Sequence, residues 1–321
     1  MFQNSVDRLV PLFGTQRIFI VAGEAQTSKL AQQMPEIPPE NYIIEPEGRG
    51  TAPCIGLAAA HIRKRDQNAV MVVVTADHYI KDVERFQRVL KAAIKVSERG
   101  HLVTLGVTPT YPSTGYGYIK HGEKLYDIYG FPVFRVDRFI EKPEKDIATQ
   151  MLQSGDHSWN SGMFIWRIDR IMKEFQSQMP ELYNQLSKIS EALGNSSYER
   201  VLVETWSGVE KQTIDYGVME GSSNVVVIPL EMGWSDIGSW SSFARLLPSD
   251  DNHNVVIGNH IEIDTSNSLI FGRRRLIATI GLEDIIIVDT DDALLVCPKK
   301  HDQKVREIVN KLGQESLKKF L

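Results

Sequence analysis

Residues 70–74 read Val-Met-Val-Val-Val, and Thr75-Ala76-Asp77-His78 follow at once. A strand that alternates apolar and polar residues can keep one face in water. This run has no polar position, so both of its faces must be covered. Similar runs recur as RIFIVA (17–22), NYIIEP (41–46) and LVTLGV (102–107). Helical patterns separate them: 26–34, stopped by Pro35; 50–67, with Thr51 placed to cap and Pro53 in the first turn; and 83–100, closed by Gly100. In the second of these helices Ile55, Ala58, Ala59 and Ile62 share a face. Strands and helices alternating at this pace predict an α/β fold, a doubly wound and mostly parallel sheet with helices on both faces.

The texture changes after TPTYPSTGYGYIK. Residues 116–142 predict longer, alternating strands, an antiparallel insertion; helical patterns return at 143–154 and 167–194. From 252 onward short apolar runs are punctuated by turn residues, which predicts a small β-rich, β-helix-like domain closed by a terminal helix over 303–321. The polar cluster LPSDDNHN (247–254) sets the boundary, giving domains 1–251 and 252–321.

Composition excludes several classes. There are 36 Lys and Arg against 41 Asp and Glu, a net charge of −5, so no global basic field suits nucleic acid. No apolar run reaches the length of a membrane span. Two cysteines, Cys54 and Cys297, lie far apart in no ligand-like spacing, which argues against a disulfide scaffold or zinc site and for a reducing compartment. The expectation is a cytoplasmic protein that binds neither nucleic acid nor membrane.

Several short stretches carry chemistry. Asp77 falls at the carboxyl end of a buried strand, where open α/β sheets bind ligands, and a carboxylate there can hold Mg²⁺ that also touches phosphate oxygens. His78 beside it is better read as a structural hydrogen bonder. Asp236 in GWSDIGSW (233–240) offers a second carboxylate, which a metal bridging phosphates needs, or else a helix cap near Ser239; Trp234 and Trp240 could wall a cleft. In PSTGYGYIK (112–120), Gly115 and Gly117 permit close backbone approach to a ligand, although a plain glycine turn explains them as well. FIEKPE (139–144) pairs Glu141 with Lys142, a hydroxyl acceptor beside a point charge for phosphate. WNSGMFIW (159–166) holds Asn160, which donates and accepts at once, as vicinal diols require. In EPEGRGTAP (45–53), Glu45 ends a strand and could accept the paired N–H groups of guanine, and Arg49 precedes a helix. Thr290-Asp291-Asp292 is read as a turn, not a metal site.

Singly these motifs are weak, but their order is specific. Asp-His after a strand, then TGYGY, EKP, WNSGMF, IDYGVME (214–220) and GWSDIGSW resemble the bacterial mannose-1-phosphate guanylyltransferase family along nearly the whole chain, and IGLEDIIIVDTDDALLVC matches that family's tail. The resemblance implies a nucleotide-diphospho-sugar transferase-like fold and a reaction of GTP with mannose 1-phosphate to give GDP-mannose and pyrophosphate. It implies that Asp77 and Asp236 carry Mg²⁺ or another divalent cation. It further implies that Gly117 and Tyr118 line the sugar pocket, that Glu141 and Asn160 contact mannose, that Lys142 holds the sugar phosphate, and that Glu45, Pro46 and Arg49 lie by the base. A homodimer is also implied.

Two departures stand out. Gly50 occupies a position where the family usually has Asn. The family's glycine-rich G-G-x-G-x-R-L loop and its strand are not seen ahead of MFQNSVDRL, which resembles the helix after them. Without that strand two neighbours are expected to face a gap with unpaired backbone edges, and a chain truncated at its N-terminus is the expectation. The alternatives are another sugar-1-phosphate nucleotidyltransferase and a catalytically inert sugar-nucleotide-binding protein.

Overall fold

A computed structural model describes residues 1–314 and 320. The chain divides into two compact units, Met1–Trp234 and Ser235–Leu321.

The first unit opens with helices α1 (Phe2–Asp7) and α2 (Val10–Phe13). Strand β1 (Ile20–Gly23), helix α3 (Glu24–Gln33), strand β2 (Tyr42–Glu45), helix α4 (Thr51–Arg65) and strand β3 (Val70–Val73) follow. Next come β4 (Tyr79–Ile80), α5 (Val83–Ser97), β5 (Leu102–Val107), β6 (Tyr118–Ile128), β7 (Phe131–Ile140), α6 (Lys145–Ser154) and β8 (His157–Arg167). Helices α7 (Ile168–Gln178), α8 (Pro180–Ala192) and α9 (Tyr198–Trp206), a π-helical turn (Asp215–Met219) and β9 (Val225–Leu230) complete it, with β10 (Trp234–Ser235) at the boundary.

Six strands form the central sheet in the order β3-β8-β5-β9-β7-β6. Four of them, β3, β5, β9 and β6, point the same way; β7 and β8 are reversed. The expected α/β architecture is therefore present, with the two reversed strands set inside the sheet. The 116–142 segment is the predicted antiparallel pair, β6 and β7, joined at Tyr129 and Gly130, both with positive φ (50° and 81°), as a type I′ hairpin turn needs. Strand β8 was not expected: WNSGMFIW runs through the middle of the sheet, paired to β3 and β5. Its apolar residues alternate between two cores. Met163 and Ile165 join Val89, Leu90 and Val96 of α5 on one face. Phe164 and Trp166 join residues of α4, α7 and α8 on the other.

Strands β1 and β2 form a separate parallel pair, Ile20↔Tyr42 through Gly23↔Glu45. Among the described residues no strand pairs with the second edge of β1 or with the second edge of β3. A cavity of 640 Å³ lies between them, lined by Ile20 and Val21 on one side and Val70–Val74 on the other. The neighbouring strands do not close up; the expected gap stays open, and all of β1 and all of β3 except buried Met71 are only half-buried.

In the second unit, α10 (Trp240–Ala244) precedes β11 (Val255–Ile257), β12 (His260–Ile263), β13 (Leu269–Gly272), β14 (Ile277–Ile280), β15 (Ile285–Asp289) and β16 (Leu294–Pro298). Strands β11, β13 and β15 stack in parallel, as do β12 and β14, so the chain winds as the expected β-helix. Val255, Leu269 and Ile286 stack as its core. Its corners place His253, Asp264, Asn267 and Asp284 at positive φ, a conformation short polar side chains tolerate best. The Thr290 hydroxyl bonds Asp292 Oδ1 and the Ala293 carbonyl, so that segment is the predicted turn between β15 and β16. Helix α11 (Val305–Gln314) covers part of the predicted terminal helix; residues 315–319 and 321 lie outside the described residues.

Candidate active site

Asp77 lies in the loop after β3, its side chain 80% exposed, with His78 Nε2 at 3.9 Å. The loop itself is pinned from behind. Ser5 Oγ donates to the Ala76 carbonyl (2.9 Å), and buried Arg8 donates to the His78 carbonyl (3.0 Å) and to Ser5 Oγ. Burial lowers the Arg8 pKa, and its guanidinium stacks 5.8 Å from the Phe86 ring centre. His78 Nδ1 accepts from Trp234 Nε1 (3.0 Å), with the two rings edge to face, so the histidine is the structural hydrogen bonder expected. Trp234 is part of the first unit's core, whereas Trp240 packs on Phe243 and Phe271 in the second unit. Each indole belongs to its own unit's packing, and half-buried Trp240 also lines a cavity with Ile237, Phe243 and Phe271.

Asp236 belongs to the second unit. Its Oδ1 accepts from Gly238 N (3.0 Å), an Asx turn, and the cap of the following helix is Ser239, which accepts from Ser242 N. Between Asp236 and Gly238, Ile237 is held at φ 46°, rare for a β-branched residue. Lys142 is likewise held at φ 41°. Backbone strain of this kind concentrates where surroundings fix a functional geometry, and here it falls inside two of the motifs picked out by their chemistry.

The residues expected on the sugar side meet at β8. Asn160 N donates to the Gly117 carbonyl (2.8 Å). The Asn160 amide donates from Nδ2 to Asp215 Oδ1 (2.7 Å) and accepts at Oδ1 from Gly162 N (3.1 Å). A Cβ on Gly117 would stand 2.7 Å from Glu141 Oε2 and 3.6 Å from Asn160 Cβ, so a larger residue there would displace the Glu141 carboxylate from this position. Glu141 Oε1 pairs with Lys142 Nζ at 3.0 Å. Thr75, two residues before Asp77, has its methyl within 3.8 Å of where a Gly162 Cβ would be, which sets the Asp77 loop beside this group. Tyr118 differs from expectation. Its ring is wholly buried and its hydroxyl donates to the Ser113 carbonyl (3.0 Å), so it can offer a sugar only its backbone.

Asp215 and Glu220, both within IDYGVME, are the acids that the reading by residue type passed over. Burial raises the pKa of Asp215, its bond from Asn160 works the other way, and the Glu141 charge raises it further. Burial, then the charges of Asp215 and Glu141, raise that of Glu220. The motif was visible in the sequence, but nothing in it says that Asp215 reaches Asn160, 55 residues away. Arg8 had no sequence signal beyond its place among Val6, Leu9 and Val10.

On the base side, Glu45 ends β2 and accepts the Arg49 N–H at Oε1 (3.1 Å). Burial raises the Glu45 pKa; that hydrogen bond opposes the rise. Pro46 follows in the same loop. Arg49 pairs with Glu47 (2.6 Å) and bonds the Ser207 carbonyl (3.4 Å), and Trp206 Nε1 donates to the Glu47 carbonyl. Gly50 has φ 89° and ψ −179°, and a Cβ there would lie 2.4 Å from the Gln212 carbonyl oxygen. Only glycine fits that backbone, which explains the departure from Asn. Thr51 does not cap α4; Gly50 is at the cap, and the Thr51 hydroxyl accepts from Ile214 N (2.8 Å). That bond ties α4 to the turn carrying Asp215. Beside Glu45, the Cys54 thiol is pushed up to about 12 by burial and by that carboxylate, which makes it inert.

Among the described residues no three or more His, Cys, Asp or Glu side chains gather as a metal cage, and no helix is long and apolar enough to cross a membrane.

Comparison with known proteins places the chain in a family. The nucleotidyl transferase family matches residues 1–252, and the mannose-phosphate isomerase/GMP-like β-helix domain matches 258–312. A mannose-1-phosphate guanylyltransferase from Salmonella montevideo is 37% identical over 98% of this chain and 67% of its own length. One from Escherichia coli K12 is 35% identical over 97% and 66%. The chain thus spans about two thirds of the length of these curated relatives. A solved structure from Thermus thermophilus, described as a mannose-1-phosphate geranyltransferase, superposes with a TM-score of 0.85 at 30% identity, covering 97% of this chain and 89% of that one.

Proposed function

The chain belongs to the nucleotidyl transferase family, and from that premise we propose that it transfers GMP from GTP to mannose 1-phosphate, giving GDP-mannose and pyrophosphate. The observation that carries this reading is the proximity of Gly117, Glu141, Lys142 and Asn160, which supplies hydrogen-bond donors, acceptors and a cation side by side. The names of the guanylyltransferase relatives support the choice of base and sugar.

In this reaction a phosphate oxygen of mannose 1-phosphate attacks the α-phosphorus in line and pyrophosphate leaves. The nucleophile is already an anion, so no strong general base is required, and catalysis is positioning plus charge neutralisation. Glu141 and Asn160 orient the sugar through its hydroxyls. Lys142, fixed by its unusual backbone and by Glu141, neutralises the sugar phosphate. Glu45 accepts the N1–H and N2–H₂ of guanine, with Pro46 and Arg49 completing the base-side segment.

Members of this family generally use divalent cations. Asp77 and Asp236 are the carboxylates that would hold one, here Mg²⁺. Their chemistry fits, because Mg²⁺ takes one or two carboxylates together with substrate phosphates and waters, not an all-protein cage. When bound it would neutralise charge on the nucleotide phosphates. We further propose 1–251 as the catalytic domain and 252–321 as a separate module, cytoplasmic location, and a homodimer assembled through the β-rich module. The family match ending at 252 supports the division, while the compact structural units part earlier, at Trp234 and Ser235, so that Asp236 and α10 belong to the family domain but pack with the second unit.

The test is turnover with GTP, mannose 1-phosphate and Mg²⁺, beside a panel of other nucleoside triphosphates and sugar 1-phosphates. GDP-mannose and pyrophosphate in equal amounts are expected. A strong preference for another pair would replace the substrates in this reading. No turnover with GDP-mannose still bound would replace it with an inert binder. Asp77→Ala and Asp236→Ala are each expected to cost roughly a hundredfold or more in kcat with the fold retained.

A further inference from the structure

Asn160 is held at three points. Its backbone N–H donates to Gly117, its Nδ2 donates to Asp215 Oδ1 at 2.7 Å, and its Oδ1 accepts from Gly162 N at 3.1 Å. A side-chain amide has two N–H donors and two acceptor lone pairs. These contacts leave one N–H and one lone pair, the donor–acceptor couple a vicinal diol would meet.

Which end of the amide faces which way is decided by Asp215 together with the Gly162 N–H, which needs an acceptor and so takes Oδ1. An ionised carboxylate only accepts hydrogen bonds, so only Nδ2 can face it. Asp215 itself is well anchored. It begins the π-helical turn Asp215–Met219, whose Val218 and Met219 are buried, and Ile214 before it is buried and donates to Thr51 Oγ1. Single π-turns of this kind are frequent at functional sites. The charged groups facing Asp215 are Glu141 and Glu220; both are acids, and of the two Glu141 presses up its pKa after burial.

We propose that Asp215 is a positioning residue for sugar recognition. It fixes the Asn160 amide in the orientation that presents one N–H and one lone pair to adjacent sugar hydroxyls, and it acts through Asn160 without touching the sugar. This rests on the sugar-transfer reading given above.

The experiment is a double-mutant cycle at Asn160 and Asp215, read as separate KM values for mannose 1-phosphate and GTP. Asp215→Ala and Asn160→Ala are each expected to raise the KM for mannose 1-phosphate about tenfold, the loss of an oriented hydrogen-bonding couple, and to leave the KM for GTP within about twofold. The double variant is expected to match Asn160→Ala alone. Asp215→Asn keeps a carbonyl acceptor for Nδ2–H and is expected to stay within about threefold of wild type. If Asp215→Ala does not fold, the cycle is run with Asp215→Asn and Asp215→Leu, and the same contrast is read. Multiplying losses in the double variant would overturn the proposal, because Asp215 would then act independently of Asn160. Equal rises in both KM values would overturn it too, as general loosening. The side-chain NH₂ resonances of Asn160 in ¹⁵N-labelled protein give a readout without turnover. They are expected to be sharp and slowly exchanging in wild type and to shift and broaden in Asp215→Ala. An ordered amide released by Asp215→Ala with no change in sugar KM would refute the recognition role while the sugar-transfer reading stands. Absence of any wild-type turnover with mannose 1-phosphate would instead refute that reading itself.

Discussion

Strands β5 and β1 carry similar apolar sequences and have very different surroundings. β5 is paired on both edges, to β8 and β9, and all six of its residues are buried. β1 is paired on one edge only, to β2, and all four of its residues are half-buried beside the 640 Å³ cavity. The two candidate half-sites inherit this difference. The sugar-side group is built on β8, a strand locked between neighbours. The base-side segment follows β2, outside the main sheet, and is braced mainly by loop contacts from Arg49 to Glu47 and Ser207. A strand paired on both edges with helices on both faces gives a rigid platform; a two-stranded ribbon relies on local braces.

The largest expected effect is in amide exchange. Protection of β5 should exceed that of β1 and of the cavity-side amides of β3 by about a hundredfold or more, because β5 opens only with the whole domain. Equal protection would erase the distinction between the two regions.

Next is packing. Trp166, fully buried behind β8, should cost about 3–5 kcal/mol on replacement by Ala, measured by urea unfolding. Val21→Ala in the ribbon should cost about 1 kcal/mol or less, since part of its surface is already exposed to the cavity. Comparable losses at the two positions would mean the ribbon is as tightly integrated as the sheet.

Glu45→Gln tests the base side. Losing a charged acceptor for two guanine N–H groups should lower the preference for GTP over ATP by roughly ten- to a hundredfold in kcat/KM. Unchanged nucleotide preference would remove Glu45 from base recognition.

The smallest effect is on pH. In the folded protein the Asp215 pKa is raised above its ordinary 3.8, by burial first. Above pH 3.8 the folded state therefore holds more protons than the unfolded state. The stability tied to this proton is fully present below that pH and is lost as pH rises through the raised value. Asp215→Asn should flatten this part of the stability curve while leaving stability below pH 3.8 close to wild type. A wild-type curve with no fall across that window, or an identical fall in the variant, would show that Asp215 is not strained by its burial.

Local order carried much of this molecule. Val70–Val74 is apolar on both alternations, so covered strands and an α/β class follow from sequence alone. The β6–β7 pair and the turn at Thr290 rest on alternation and turn chemistry within a few residues of one another. Other features depended on distance in the chain. WNSGMFIW gave no sign that it would enter the sheet as β8, because its small and polar residues break the apolar pattern. Thr51 looks like a cap, and the cap gives way to a bond with Ile214 that only the packing of α4 against the later turn provides. Tyr118 looks like a pocket residue beside two glycines, and strand alternation turns it into the core.

The sequence by itself determined the covered strands, the β-helical second unit, the family, and the residue types a sugar-nucleotide site needs, since these depend on local pattern and motif order. Tertiary structure alone decided that Asp215 faces Asn160, that Arg8 and Ser5 hold the Asp77 loop, and that WNSGMFIW enters the sheet between β3 and β5. Those outcomes depend on which non-local groups can share hydrogen bonds and burial once the chain has closed, and no stretch of sequence contains both partners.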